Sequence, residues 1–327
     1  MKRALRLALK GAGQVNPNPM VGAVLVSGGE IIGKGYHEFF GGPHAEVNAI
    51  SDACLKSPKK IKGSTLYVTL EPCCHTGKTP PCTDLIISNG ISTVFVGMED
   101  PNELVAGKGI QILRAAGIEV ITGVLERECR QLNEVFIKYI TARMPFVTLK
   151  SAMTLDGKIA TTTNASRWIT GEKSRNIVHQ MRKSLSAIMV GADTVIADDP
   201  LLNIRLTGQH RQPIKIVTDS TLRIPLTSRL LTNDPQLVIM ATTDRASRER
   251  VKEFERLGAQ VVVCSQTENR VDLTTLMKLL GAMDIDSILL EGGSTLAFSF
   301  LKARLVDKIV CFVAPKILGG ATAPSPV

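Results

Sequence analysis

The chain has 327 residues, 44% of them hydrophobic, with seven cysteines and a net charge of +9. That length predicts two domains rather than one; no apolar run approaches the ~18 residues of a membrane-spanning helix, and an odd cysteine count does not make a disulfide framework. The basic excess comes without a basic tail or an aromatic-interleaved basic patch, which argues against a nucleic-acid binder. It reads equally well as a solvated surface and as attraction for small phosphorylated ligands. Residues 1–10 pattern as an amphipathic helix and not as a signal peptide, so a reduced, cytoplasmic setting is expected. In chain order, 21–26 reads as a buried strand, Gly28-Gly29 as a turn and 31–36 as the returning strand. A helix over 44–54, a strand over 64–70, a helix over 83–89 and a strand over 93–98 follow. A helix at 107–116, a short strand at 118–122 and a helix over 125–142 come next, and Met144-Pro145 breaks the pattern. The second half places strands at 146–150, 187–190, 214–218, 236–241, 286–290 and 307–313. Its helices run up to 183, over 245–257 and from 295 to 304. This is an α/β chain with expected domains 1–144 and 145–327.

One constellation carries chemistry. His44 and Glu46 stand two apart at the start of a helix; Cys73 follows a strand and Pro72; Cys82 comes nine positions later. An imidazole and two thiolates make three tetrahedral zinc ligands and leave a fourth position for water, whose pKa a zinc ion lowers toward ~7. Glu46 is then left to shuttle protons. Cys74 and His75 compete with Cys73 as donors on residue type alone. Any one of these residues by itself reads as a packing cysteine or a capping histidine; the ordered set does not.

The pattern His44-Ala45-Glu46 with Pro72-Cys73 resembles that of the zinc nucleobase deaminases. The long interval to Thr79-Pro80-Pro81-Cys82, and the loop Asn16-Pro17-Asn18-Pro19-Met20-Val21-Gly22, resemble the deaminase half of the bifunctional riboflavin-biosynthesis deaminase–reductases. The resemblance implies a cytidine-deaminase-like three-layer N-terminal domain, with His44, Cys73 and Cys82 as zinc ligands, Glu46 as catalytic group and Asn18 against the substrate. No Gly-x-Gly-x-x-Gly follows a first strand of the second half. Glu291-Gly292-Gly293-Ser294 instead opens a helix whose free N–H groups suit a phosphate. With Ser166, Trp168, Thr194, Ala197-Asp198-Asp199-Pro200 and Asp219-Ser220, this stretch is similar to the reductase half of the same family.

That similarity implies a dihydrofolate-reductase-like C-terminal domain that uses NADPH. Ala152, Trp168, Thr194, Asp198, Ser220, Gly293, Ser294 and Thr295 would contact the cofactor. Ser166, Arg182, Leu202, Arg205 and Glu291 would hold a phosphorylated pyrimidine substrate, the two guanidinium forks suiting its phosphate. Lys150 and Asp199 lie close by without a firm role. The implied reactions are ring deamination of a diaminopyrimidine ribosyl phosphate and reduction of its ribosyl group, in a homo-oligomer. One departure is that the family continues beyond the point where this chain reaches Val327. The expectation is a reductase sheet without its last strands and with an open edge. Two other readings stay open: a tRNA or free-nucleoside deaminase with an unrelated appended domain, and a closed structural zinc module with Cys74 or His75 as fourth ligand.

Overall fold

Small and β-branched residues make Gly22–Ser27 a strand, β1, which pairs antiparallel with β2 (Glu30–Tyr36) and β3 (Thr65–Leu70) in the computed structural model. Parallel pairing then adds β4 (Thr93–Met98) and β5 (Glu119–Ile121), giving the order β2-β1-β3-β4-β5. The helices of this unit are α1 (Lys2–Ala8), α2 (Ala45–Lys56), α3 (Cys82–Ser88), α4 (Lys108–Ala115), α5 (Glu126–Leu132) and α6 (Glu134–Ala142). Their apolar faces and those of the strands enclose a main core, with Leu25, Leu66, Ile86 and Leu113 fully buried, and a smaller cluster of Ala4, Leu7 and Val24 under α1. The structure describes all residues except 76–79, 104, 164, 166, 167 and 209.

Two glycines set how closely α2 lies on the sheet. A Cβ on Gly33 would meet the Ala49 carbonyl oxygen at 2.2 Å, and one on Gly35 the Ala45 carbonyl oxygen at 2.3 Å. Only a strand without side chains at these positions admits the helix backbone, and the contact fixes the start of α2, where His44 and Glu46 stand. Gly35→Ala is expected to destabilise the first unit by about 1–3 kcal/mol, because the clash is with backbone and not with a movable side chain; a urea titration measures it.

The helix expected over 125–142 is two helices. Asn133 interrupts it, and its buried side chain pairs with Met20: Oδ1 accepts from the Met20 N–H at 2.9 Å and Nδ2 donates to the Met20 carbonyl at 3.1 Å. A distant backbone partner, satisfied by one amide as a strand would satisfy it, outweighs local helical propensity and ties down the loop that carries Asn18.

The chain divides between Ala142 and Arg143. The second unit holds a sheet of order β10-β9-β8-β7-β13-β6-β14, all of its pairs parallel. Its strands are β6 (Phe146–Thr154), β7 (Ala187–Gly191), β8 (Ile214–Thr218), β9 (Val238–Thr242), β10 (Gln260–Val263), β13 (Ser287–Leu290) and β14 (Lys308–Ala314). A small hairpin, β11 (Gln266–Thr267) with β12 (Arg270–Val271), stands apart. The helices are α7 (Glu172–Ser184), α8 (Ala192–Asp198), α9 (Arg229–Asn233), α10 (Arg248–Arg256), α11 (Leu273–Ala282) and α12 (Ser294–Lys302). Continuous apolar runs such as Ala187–Val190 and Ile288–Leu290 are buried on both faces, as a helix-covered parallel sheet requires. No helix among the described residues is long and apolar enough to cross a membrane.

Candidate functional site

Strand β3 delivers Cys73, α3 begins at Cys82, and His44 caps α2 in an extended conformation. These three converge: one donor atom from each lies within 4.8 Å of the others. Cys73 Sγ stands 3.4 Å and Cys82 Sγ 3.3 Å from His44 Nδ1. The Cys82 thiol and the His44 ring hold Cys73 far below an ordinary thiol, at about 4, while the hydrogen bond to Cys73 and burial push Cys82 up. One nitrogen and two soft sulfurs at this spacing fit a zinc ion and leave room for another ligand. Among the described residues neither Cys74 nor His75 joins the group; Cys74 is half-buried and His75 exposed.

Glu46, in the first turn of α2, is 3% exposed. Burial raises its carboxyl to about 7, against the opposing pull of His44. A carboxyl poised there can both take and return a proton near neutral pH.

Two further buried residues, His37 and Glu71, support this site. His37, at the end of β2, is buried; its Nδ1–H donates to the Pro43 carbonyl at 3.0 Å, so Nε2 accepts from Asn18 Nδ2 at 3.2 Å. Its ring meets that of His44 edge-on at 5.8 Å. The available signal is a histidine closing a strand seven residues before His44, but its meaning depends on Asn18 from elsewhere in the chain. Glu71 is buried two residues before Cys73 and accepts backbone N–H bonds from Asp100 at 3.1 Å, Gly107 at 2.9 Å and Ile110 at 3.2 Å. It locks the segment after β4 against the cysteine loop.

In the second unit, a cavity of about 930 Å³ opens at the carboxyl ends of the strands. Thr194, Ser220, Gly293, Ser294 and Thr295 line it, which brings together five of the expected cofactor contacts. Helix α12 starts here; Gly293 caps it without a side-chain bond, so its first N–H groups face the cavity region unpaired by a cap. Volume and donors suit a dinucleotide with phosphates. Among the described residues, Ala152, Trp168 and Asp198 do not line this cavity. Ala152 lies on β6, Asp198 closes α8, and Trp168 is 62% exposed with the Arg175 guanidinium 4.6 Å over its ring.

Arg182 and Glu291 meet in a bidentate pair of 2.7 and 2.9 Å, each side chain 11% exposed. Burial would raise the Glu291 carboxyl, but the Arg182 charge and hydrogen bonds prevail and hold it below its ordinary value. Arg182 Nη1 also donates to the Asn203 carbonyl at 3.0 Å. Leu202 is buried at a left-handed φ of 54°, and Arg205 is exposed. Ser166 lies outside the described residues. Asp199 has a structural duty: it ends α8 in the left-handed region and accepts from the Arg229 N–H at 2.8 Å.

Comparison with known proteins accounts for both halves. Residues 1–98 match the cytidine and deoxycytidylate deaminase zinc-binding region, and residues 145–327 match the RibD C-terminal domain. Riboflavin biosynthesis protein RibD of Actinobacillus pleuropneumoniae is 50% identical over the whole chain, which covers 86% of that relative. The Escherichia coli protein of the same name is 41% identical over 98% of the chain and 88% of its own length. Among solved structures, Acinetobacter baumannii RibD superposes with a TM-score of 0.88 at 38% identity, over 99% of this chain and 88% of that one. A Thermotoga maritima diaminohydroxyphosphoribosylaminopyrimidine deaminase/5-amino-6-(5-phosphoribosylamino)uracil reductase does so with 0.87 at 43%, over 100% and 88%. The chain belongs to the RibD family of riboflavin biosynthesis, bifunctional enzymes that join a zinc-type deaminase to a reductase.

Proposed function

We propose that residues 1–144 deaminate a diaminopyrimidine ribosyl phosphate and that residues 145–327 reduce the ribosyl group of the deaminated pyrimidine with NADPH. The observation that carries the first half is the convergence of His44, Cys73 and Cys82 beside a buried carboxyl titrating at about 7. Zinc held by these three side chains supplies Lewis acidity toward water. Glu46 accepts one proton of the attacking water and delivers it to the ring nitrogen, then passes the second, taken from the hydroxyl now on the ring carbon, to the departing amine, so that water and the amidine give a carbonyl and ammonia. Asn18, steadied by His37, presents its remaining amide atoms to the pyrimidine. His37 stays neutral in this role because burial lowers its pKa and both ring nitrogens are engaged.

In the second half, NADPH supplies the hydride. The start of α12 and the hydroxyls of Thr194 and Ser220 hold the cofactor. Ala152, Trp168 and Asp198, which do not line the cavity at the start of α12, would meet the cofactor only where it extends beyond it. Arg182, Arg205, Glu291, Ser166 and the backbone at Leu202 receive the sugar phosphate, Arg182 being pre-oriented by Glu291.

The test separates the two chemistries. Purified protein given the diaminopyrimidine substrate should release ammonia with or without NADPH, and should oxidise NADPH only after deamination. Removing metal with a chelator should stop ammonia release and leave NADPH oxidation on pre-deaminated substrate unchanged. Ammonia release that survives full metal removal would sink the deaminase assignment.

A further inference from the structure

The end of the sheet near Glu291 holds more unmatched polarity than the roles above use. His179 sits one turn before Arg182 on α7, so both project from one helix face. It is 7% exposed, and its Nδ1 is buried without a hydrogen-bond partner among the described residues. Asn203, whose carbonyl receives Arg182, likewise has a buried Oδ1 with no partner among them. Buried polar atoms are nearly always paired, so two orphans beside one guanidinium mark a place where a ligand supplies the missing partners.

The charges say what kind of ligand. His179 feels Arg182, Arg205 and Glu291, and Glu291 feels Arg182, Lys150 and His179. Two cationic side chains, Arg182 and Lys150, therefore act on one carboxylate that is already spent on Arg182, and a third, Arg205, acts on His179. Arg205 is exposed and makes no hydrogen bond or ion pair among the described residues. An anion with several acceptor oxygens and a neighbouring hydroxyl answers all of these vacancies at once.

We infer that His179 is a substrate-contact residue of the reductase, donating its Nδ1–H to a phosphate oxygen of the sugar phosphate while Asn203 Oδ1 accepts from a sugar hydroxyl. The inference rests on the reading that Arg182, Arg205 and Glu291 form the substrate site. Burial, then the charges of Arg182 and Arg205, hold the ring below its ordinary pKa, so at neutral pH it brings one N–H and no added charge.

The test is a split of kinetic constants. His179→Leu should raise KM for 5-amino-6-(5-phosphoribosylamino)uracil about tenfold, the value of a hydrogen bond to a charged group. The kcat, the KM for NADPH and ammonia release should stay as in the parent. His179→Asn, whose amide nitrogen can stand where Nδ1 stood, should recover most of the loss; a purely structural histidine would show no such rescue. An unchanged KM in His179→Leu, with a raised KM in Arg205→Ala, overturns the inference and leaves the substrate site standing. If neither variant moves KM, the site reading falls as well. Should His179→Leu fail to fold, the parent protein labelled on histidine nitrogen decides: the His179 signal, assigned by its loss in His179→Asn, should shift on adding ribose 5-phosphate. A His179 signal that stays fixed while the Arg205 guanidinium signal moves overturns the inference.

Discussion

Glu46→Gln is expected to abolish ammonia release while NADPH oxidation on deaminated substrate continues at the parent rate. The introduced amide is nearly isosteric with the carboxyl and keeps the start of α2, but it cannot accept a proton. The same change should stabilise the metal-free protein in a pH-dependent way. Burial lifts the Glu46 carboxyl from 4.5 to about 7, so the folded state binds a proton that the unfolded chain has released between those values. The penalty is absent below pH 4.5, grows as pH rises, and is complete above about 7. Removing it is worth on the order of 3 kcal/mol at about pH 8 and nothing near pH ~4. Urea titrations of chelator-treated parent and variant at the two pH values measure it. A normal ammonia rate in the variant would assign the proton shuttle to another group; equal stabilities at the higher pH would show that Glu46 ionises there without cost.

The second large effect lies at the buried pair of Arg182 and Glu291. Glu291→Ala leaves the Arg182 charge nearly buried and uncompensated, and about 3–5 kcal/mol of stability in the second unit should be lost. NADPH oxidation should fall below detection, and ammonia release should be untouched. The double change Arg182→Met with Glu291→Leu should recover most of the stability, because two apolar groups of similar volume fill the same space without stranding a charge. It should not recover the reductase. Recovery of activity in the double variant would mean that the pair serves only the fold.

The zinc-type motif was legible because its meaning is mostly local. His44 and Glu46 share the first turn of one helix, and Cys73 and Cys82 flank a short connection between a strand and a helix. Spacing along such elements translates almost directly into distance. Hairpin β1–β2 and strands β4 and β8 were legible for the same reason: alternation or an apolar run against flanking turn residues is a short-range signal. Less was readable in the second half, where α8, α9 and the strands from β10 to β12 are too short to carry a strong period; α11 does carry one, in Leu273, Leu276, Met277 and Leu280, yet was not among the predicted elements.

Sequence by itself determined the fold class, the family and the donor types of the metal site, since those follow from residue kinds at fixed local intervals. Only the tertiary structure decided what long-range pairing controls. It broke the long helix at Asn133 to hold Met20, tied Asn18 to His37, and matched Arg182 to Glu291 from distant parts of the chain. The physical reason is that a buried polar group takes whichever partner the fold brings within about 3 Å, and local propensity holds no information about a partner that arrives from another part of the chain.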